Sequence, residues 1–107
     1  AAYWKYSVCR RLTGGARATF PLTGSNWFER PVIATEEAWR SDVALLDAMH
    51  RSLRDAIASL PRGKLHRTVG RGRDTAFALI SGAAAHDLYH AGQIQLLKRL
   101  WAPRSEI

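Results

Sequence analysis

Two histidines four residues apart are the side chains of this 107-residue chain best placed to do chemistry. They stand in the run Ala85-His86-Asp87-Leu88-Tyr89-His90-Ala91-Gly92-Gln93-Ile94. On an α-helix, residues i and i+4 share one face a turn apart, so both imidazoles can reach a single point. Neutral imidazole is a ligand for zinc, nickel, copper and iron, and two that converge make half of a transition-metal site. The plainer reading is two polar residues satisfied by their neighbours. Against it, both fall on a helical stripe that otherwise carries Leu79, Leu97 and Leu100. Burying an imidazole there without a partner costs a few kcal/mol, so two in succession need a reason.

The surrounding candidates are weaker. Asp87 makes the pattern His-Asp-x-x-His, close to the zinc-peptidase pattern His-Glu-x-x-His, but aspartate reaches less far and no further ligand of that class follows. Asp87 is expected to face an exposed arginine or to support a ligand from behind. His50, between Leu46 and Leu53, is the best internal candidate for a third ligand; the plainer reading is a core histidine bonded to a carbonyl. Gln93 lies one turn beyond His90 and could bond a neighbouring helix or a ligand. Tyr3 and Tyr89 are expected to pack with their hydroxyls at the edge. His66 is expected to be exposed. Cys9, beside Val8, reads as a small packing residue rather than a reactive thiol. No phosphate-cradling glycine loop, Ser-His-Asp set or carboxylate pair is present in the sequence pattern.

The elements that must position these residues are three helices. The first is predicted over residues 1–12, with Tyr3, Trp4, Val8 and Leu12 on one face and Thr13-Gly14-Gly15 ending it. A long connection follows, in which Trp27 and Phe28 suggest a segment packed down as a lid. In the second, Thr35 is the N-cap and Glu36 and Glu37 complement the helix start. Trp39, Val43, Leu46, His50, Leu53, Ile57 and Leu60 then recur at spacings of four and three, and Pro61 ends the helix. Such an element is about 38 Å long. The third is predicted over residues 74–100, its stripe formed by Leu79, Ala83, His86, His90, Gln93, Leu97 and Leu100. The small run from Ser81 to Ala85 lets a neighbouring helix approach closely or a cavity open. There is no internal repeat and no strand pattern.

Composition bounds the rest. The length allows one domain, residues 1–107, and 47% hydrophobic with 23% charged residues is globular composition. No apolar run approaches the roughly 20 residues that span a bilayer, and a single cysteine points to a reducing cytoplasm. The net charge of +7 owes much to the segment from Arg62 to Arg73, which has five cationic side chains and no acid before Asp74. It could grip phosphates, yet its three glycines and lack of stacking aromatics favour a solvated loop, so nucleic acid is not the expected partner. The chain does not begin with Met, and its first residues already read as helix, which suggests a sequence whose beginning is missing.

The stretch from Gly82 to Ile94 resembles the last helix of the DinB/YfiT-like metalloenzyme superfamily. Tyr3-Trp4-Lys5-Tyr6, with Arg10-Arg11-Leu12-Thr13-Gly14 after it, is similar to a subgroup of the same family, as is Gly24-Ser25-Asn26-Trp27-Phe28. The likeness covers most of the chain, and His-x3-His-x-Gly-Gln-Ile is its most specific part. The resemblance implies an all-α, up-down four-helix bundle of the DinB-like type, with three helices present here and the first absent. It also implies a divalent metal held by three histidines, zinc or nickel foremost and iron third. Two match His86 and His90; the position of the third falls at or just ahead of Ala1. Family members with known activity are thiol-dependent transferases or isomerases, so a small thiol or small electrophile is the implied substrate class.

Three functions follow as expectations. The first is a metal-dependent transferase or isomerase using His86 and His90, with His50 as the internal substitute for a third ligand. The second is a non-catalytic helical protein that forms a homodimer through an exposed apolar groove. The third is a basic nucleic-acid-binding protein, whose binding to any duplex would be steeply salt-dependent.

Overall fold

Each helix carries its boundary signals in its own residues. The computed structural model describes residues 1–14, 20–24, 29–30, 32–70 and 72–103. Helix α1 spans Ala2–Thr13 and ends on Gly14, whose φ of 66° is the left-handed conformation in which a side chain would be strained. Helix α2 spans Glu36–Ala58, and the Thr35 hydroxyl accepts from the Ala38 N–H at 3.0 Å. Helix α3 spans Ala76–Trp101, capped by Thr75 accepting from Ala78 N–H at 3.1 Å. The α3 start therefore falls two residues later than the apolar pattern places it, because Thr75 supplies the cap. Among the described residues the chain is all-α; the only extended pairing is an isolated bridge between Thr68 and Thr75.

That bridge organises the basic segment. A short 3-10 turn at Arg62–Lys64 leads into it, and backbone bonds from Ala76 N to Arg67 O (3.0 Å) and from Phe77 N to Leu65 O (2.8 Å) close it against the start of α3. Its described cationic side chains, Arg62, Lys64, Arg67 and Arg73, all face solvent, and Arg71 lies outside the described residues.

Helix α1 is the element that the other two share. The core joins one residue from each helix, Val8, Leu53 and Ala83, with Cys9, Leu12, Ile57 and Leu79 packed around them. Contacts along α1 fix the directions. Lys5 meets His50, Cys9 meets Ser52, and Leu12 lies beside Ala56 and Leu60, so α1 and α2 run parallel. Trp4 meets His86 and Arg11 meets Asp74, so α1 and α3 run antiparallel. A simple up-down order would set α1 against α2 head to tail. The connection over residues 14–35 is long enough to return along the helix instead, since each extended residue spans about 3.3 Å. Phe20 in that connection is packed edge-on against Tyr3 at 5.3 Å. Trp27 and Phe28, expected to hold it down, lie outside the described residues.

The predicted stripes are half covered. Leu53 is 5% exposed, whereas Trp39 on the same stripe is 65% exposed. On α3, Ala83 is buried, but Leu97 and Leu100 are 64% and 74% exposed. The apolar periodicity is matched by burial from Leu53 to Leu60 on α2 and from Leu79 to His90 on α3. Ahead of Leu53 the half-buried large apolar residues of α2 are Leu45 and Met49, while Trp39, Val43, Leu46 and His50 of the expected stripe are exposed. No helix among the described residues is long and apolar enough to cross a membrane.

Candidate metal centre

His86 and His90 occupy the middle of α3, where the covered part of the helix gives way to the open part. Their i, i+4 spacing brings the Nε2 atoms to 3.1 Å from each other, with the rings edge to face at 4.4 Å between centroids. Each ring is held from behind or beside. The indole of Trp4, on α1, lies flat against His86, 4.3 Å away and 16° from parallel. His90 Nδ1 lies 2.8 Å from Gln93 Oε1. An amide oxygen accepts, so Nδ1 carries the proton there and Nε2 keeps its lone pair.

This arrangement suits a cation on chemical grounds. Two imidazole nitrogens on one tetrahedral zinc, each at about 2.0–2.1 Å, stand about 3.3 Å apart. The observed separation is within a few tenths of that. An N–H···N hydrogen bond has a similar length, so His86 Nε2–H can donate to the His90 Nε2 lone pair with both rings neutral, and a bound metal ion would take the place of that proton. Burial lowers the His86 pKa below its ordinary 6.5, and the neighbouring His90 pushes it the same way, opposed by Asp87. His86 therefore resists taking up a proton. His86 Nδ1 is buried and has no hydrogen-bond partner among the described residues.

His50 is not gathered into the pair. It projects from α2, and its Nδ1 lies 3.2 Å from the Lys5 ammonium, which donates to it. Among the described residues no three His, Cys, Asp or Glu side chains are grouped to hold an ion. The pair thus offers two protein donors and leaves the remaining positions to water, a thiolate or another group. Ala1 lies at this end of the bundle, beside His90, Gln93, Ile94 and Leu97 around a shallow hollow.

Lys5 is the functional residue that sequence reasoning missed. It is 5% exposed, and its ammonium forms an ion pair with Asp87 as well as its bond to His50. One residue from each helix therefore meets in a polar knot directly beside the histidine pair. Asp87 faces this buried lysine rather than the exposed arginine expected from sequence. The signal was present: Lys5, Val8 and Leu12 are spaced by three and four, which puts Lys5 on the buried face. Gln93 supports His90 instead of bonding a neighbouring helix, and His66 is exposed with its ring 5.3 Å from Phe77. The Cys9 thiol contacts Ser52 O at 3.5 Å, and burial, then Asp55, raises its pKa, which fits a packing role.

No family model, curated protein or solved structure matches this chain.

Proposed function

We propose that the chain is a DinB-like helical metal-binding protein in which His86 and His90 hold one divalent cation, zinc or nickel foremost. The observation that carries the reading is the 3.1 Å approach of the two Nε2 atoms, with Gln93 holding the proton on the far nitrogen of His90. A side-chain carbonyl behind a ligating imidazole sets its tautomer and aim, and that is the role Gln93 fills. Trp4 keeps water from one face of His86, and the Lys5–Asp87 pair pins α3 against α1 at the residue next to it.

The activity that fits this site is a metal-dependent transfer or isomerisation involving a small thiol or a small electrophile. A divalent ion with open positions would lower the pKa of a water or thiol bound to it. The chain's own part is to present two neutral imidazoles, one of them resistant to protonation, beside an aromatic wall. Titration of untagged protein with zinc tests the reading. It expects saturation near one ion per chain and loss of binding in His86→Ala and in His90→Ala, with His50→Ala separating a two-histidine site from one that recruits α2. Binding that ignores all three substitutions would refute it.

A second reading, homodimerisation, has its own supporting observation. The chain's radius of gyration is 16.8 Å, against about 13 Å for a compact domain of this length. Its accessible surface is 9012 Å², against about 6000 Å² for a compact monomer of this mass. The outer faces of α2 and α3, from Trp39 to Leu46 and from Ile94 to Trp101, are the apolar surface such a contact would cover. Light scattering that returns a monomeric mass at all concentrations would dismiss it.

A further inference from the structure

A cavity of about 450 Å³ opens between α1 and the first half of α3, with Trp4, Val8, Arg11 and Leu79 among its lining residues, and the metal reading makes no use of it. We propose that it binds a small amphipathic carboxylate, a molecule with an aromatic or alkyl body and one anionic end. Its volume falls in the range of small-molecule sites, and its make-up is theirs too, an apolar floor with a few polar groups. Val8, Ala78 and Leu79 form the floor, and the Trp4 indole walls one end. Arg11 stands at the other, seven residues along α1 and so about 10 Å away.

Gly82 decides between two roles for the small-residue run on α3. A glycine within a helix weakens it relative to alanine, and close approach of another helix is the usual reason to keep one. Here a Cβ built on Gly82 meets nothing within 4 Å, so no neighbour needs the room. The space it leaves is the cavity itself.

The anionic end follows from Arg11. Its guanidinium is 3.8 Å from Asp74, and that carboxylate is 60% exposed, so the pair is loose and a ligand carboxylate can take its place. The net charge of +7 draws anions toward the chain in any case. Trp4 links this cavity to the histidines, because the same indole that walls it lies flat on His86. A ligand seated here would lie against Trp4, the residue stacked on His86, without reaching His86 itself. That the ligand is a substrate rests on the metal reading; that it binds does not.

The test uses metal-free, untagged protein and 4-phenylbutyrate as probe, with 4-phenylbutan-1-ol and 4-phenylbutylamine for comparison. Calorimetry should give saturable binding of the carboxylate at one per chain, tighter than either comparison compound. Arg11→Gln should weaken the carboxylate by about tenfold and leave the alcohol unchanged. Gly82→Leu, which fills the cavity, should abolish binding of both while the thermal midpoint stays at or above the parent's and the zinc titration is unaltered. If Gly82→Leu does not fold, probe-induced shifts of the Trp4 indole N–H and the Gly82 amide in the parent protein report the same location. Preference for the amine, binding that survives Gly82→Leu, probe shifts elsewhere, or no saturable binding would each overturn the proposal. So would dissociation of an oligomer by Gly82→Leu, which would assign the cavity to a subunit contact.

Discussion

Replacing Asp87 with alanine removes the counter-charge of an ammonium that is almost wholly out of water. The Lys5 side chain is 6% exposed and Asp87 is 39% exposed, so the two ends of this ion pair sit in different surroundings. Breaking a fully buried pair from one side costs about 3–5 kcal/mol, because the other charge is stranded. Exposed pairs are worth about 1 kcal/mol or less. Asp87 stands on the wet side, so its loss lets some water reach Lys5, which puts Asp87→Ala at about 2 kcal/mol. The His50 Nδ1 then remains as the ammonium's partner. Lys5→Met removes the charge together with its desolvation and leaves Asp87 able to rehydrate, a cost of about 1 kcal/mol or less. With the lysine gone, Asp87→Ala should add almost nothing. For a domain of this size, each kcal/mol moves the thermal midpoint by about 4–8 °C. Urea and thermal melts followed by circular dichroism at 222 nm on the parent, both single variants and the double variant measure all four corners. The reasoning is refuted if Asp87→Ala costs no more than Lys5→Met, or costs the same in both backgrounds.

Three further outcomes follow from local geometry. Thr35→Ala and Thr75→Ala each remove the oxygen that caps a helix start and should each lower stability by about 1 kcal/mol, read as a lower urea midpoint with an unchanged slope. The raised pKa of Cys9 leaves little thiolate near neutral pH, so iodoacetamide should modify it more slowly in the folded protein than in urea. The lowered His86 pKa has a definite sign: well above 6.5 the imidazole is neutral in both folded and unfolded chains and its burial carries no protonation penalty. As pH falls through 6.5 toward the lowered folded value, the unfolded chain takes up the proton first and stability declines. In metal-free protein His86→Phe, which keeps a ring under Trp4, should flatten that acid slope; an unchanged slope would show that His86 does not contribute to it.

What could be read from sequence is what depends on neighbours along one helix. The caps at Thr35 and the stop at Gly14 each involve a few consecutive residues, and the structure has them as expected. His86 and His90 meet because a single helix turn carries them together. Contacts between helices were a different matter. The partners of Lys5 could not be read from sequence, because Asp87 and His50 stand 82 and 45 positions away. The stacking of Trp4 on His86 has the same character. The parallel course of α1 and α2 was hidden for another reason: a connection as long as residues 14–35 permits either direction. The apolar stripes told which faces seek cover, and Leu53 found it, but a stripe carries no information on what should lie against Trp39 or Leu97.

On the proposed function, the two imidazoles of α3 share one cation. Long-range proton–nitrogen spectra of histidine-labelled, untagged protein, recorded while zinc is added, address it directly. The Nε2 signals of His86 and His90 should move together and stop moving at one zinc per chain, while His66 stays in place. Nε2 signals of that pair that hold still while zinc is added past one equivalent, or that move independently of each other, would contradict it.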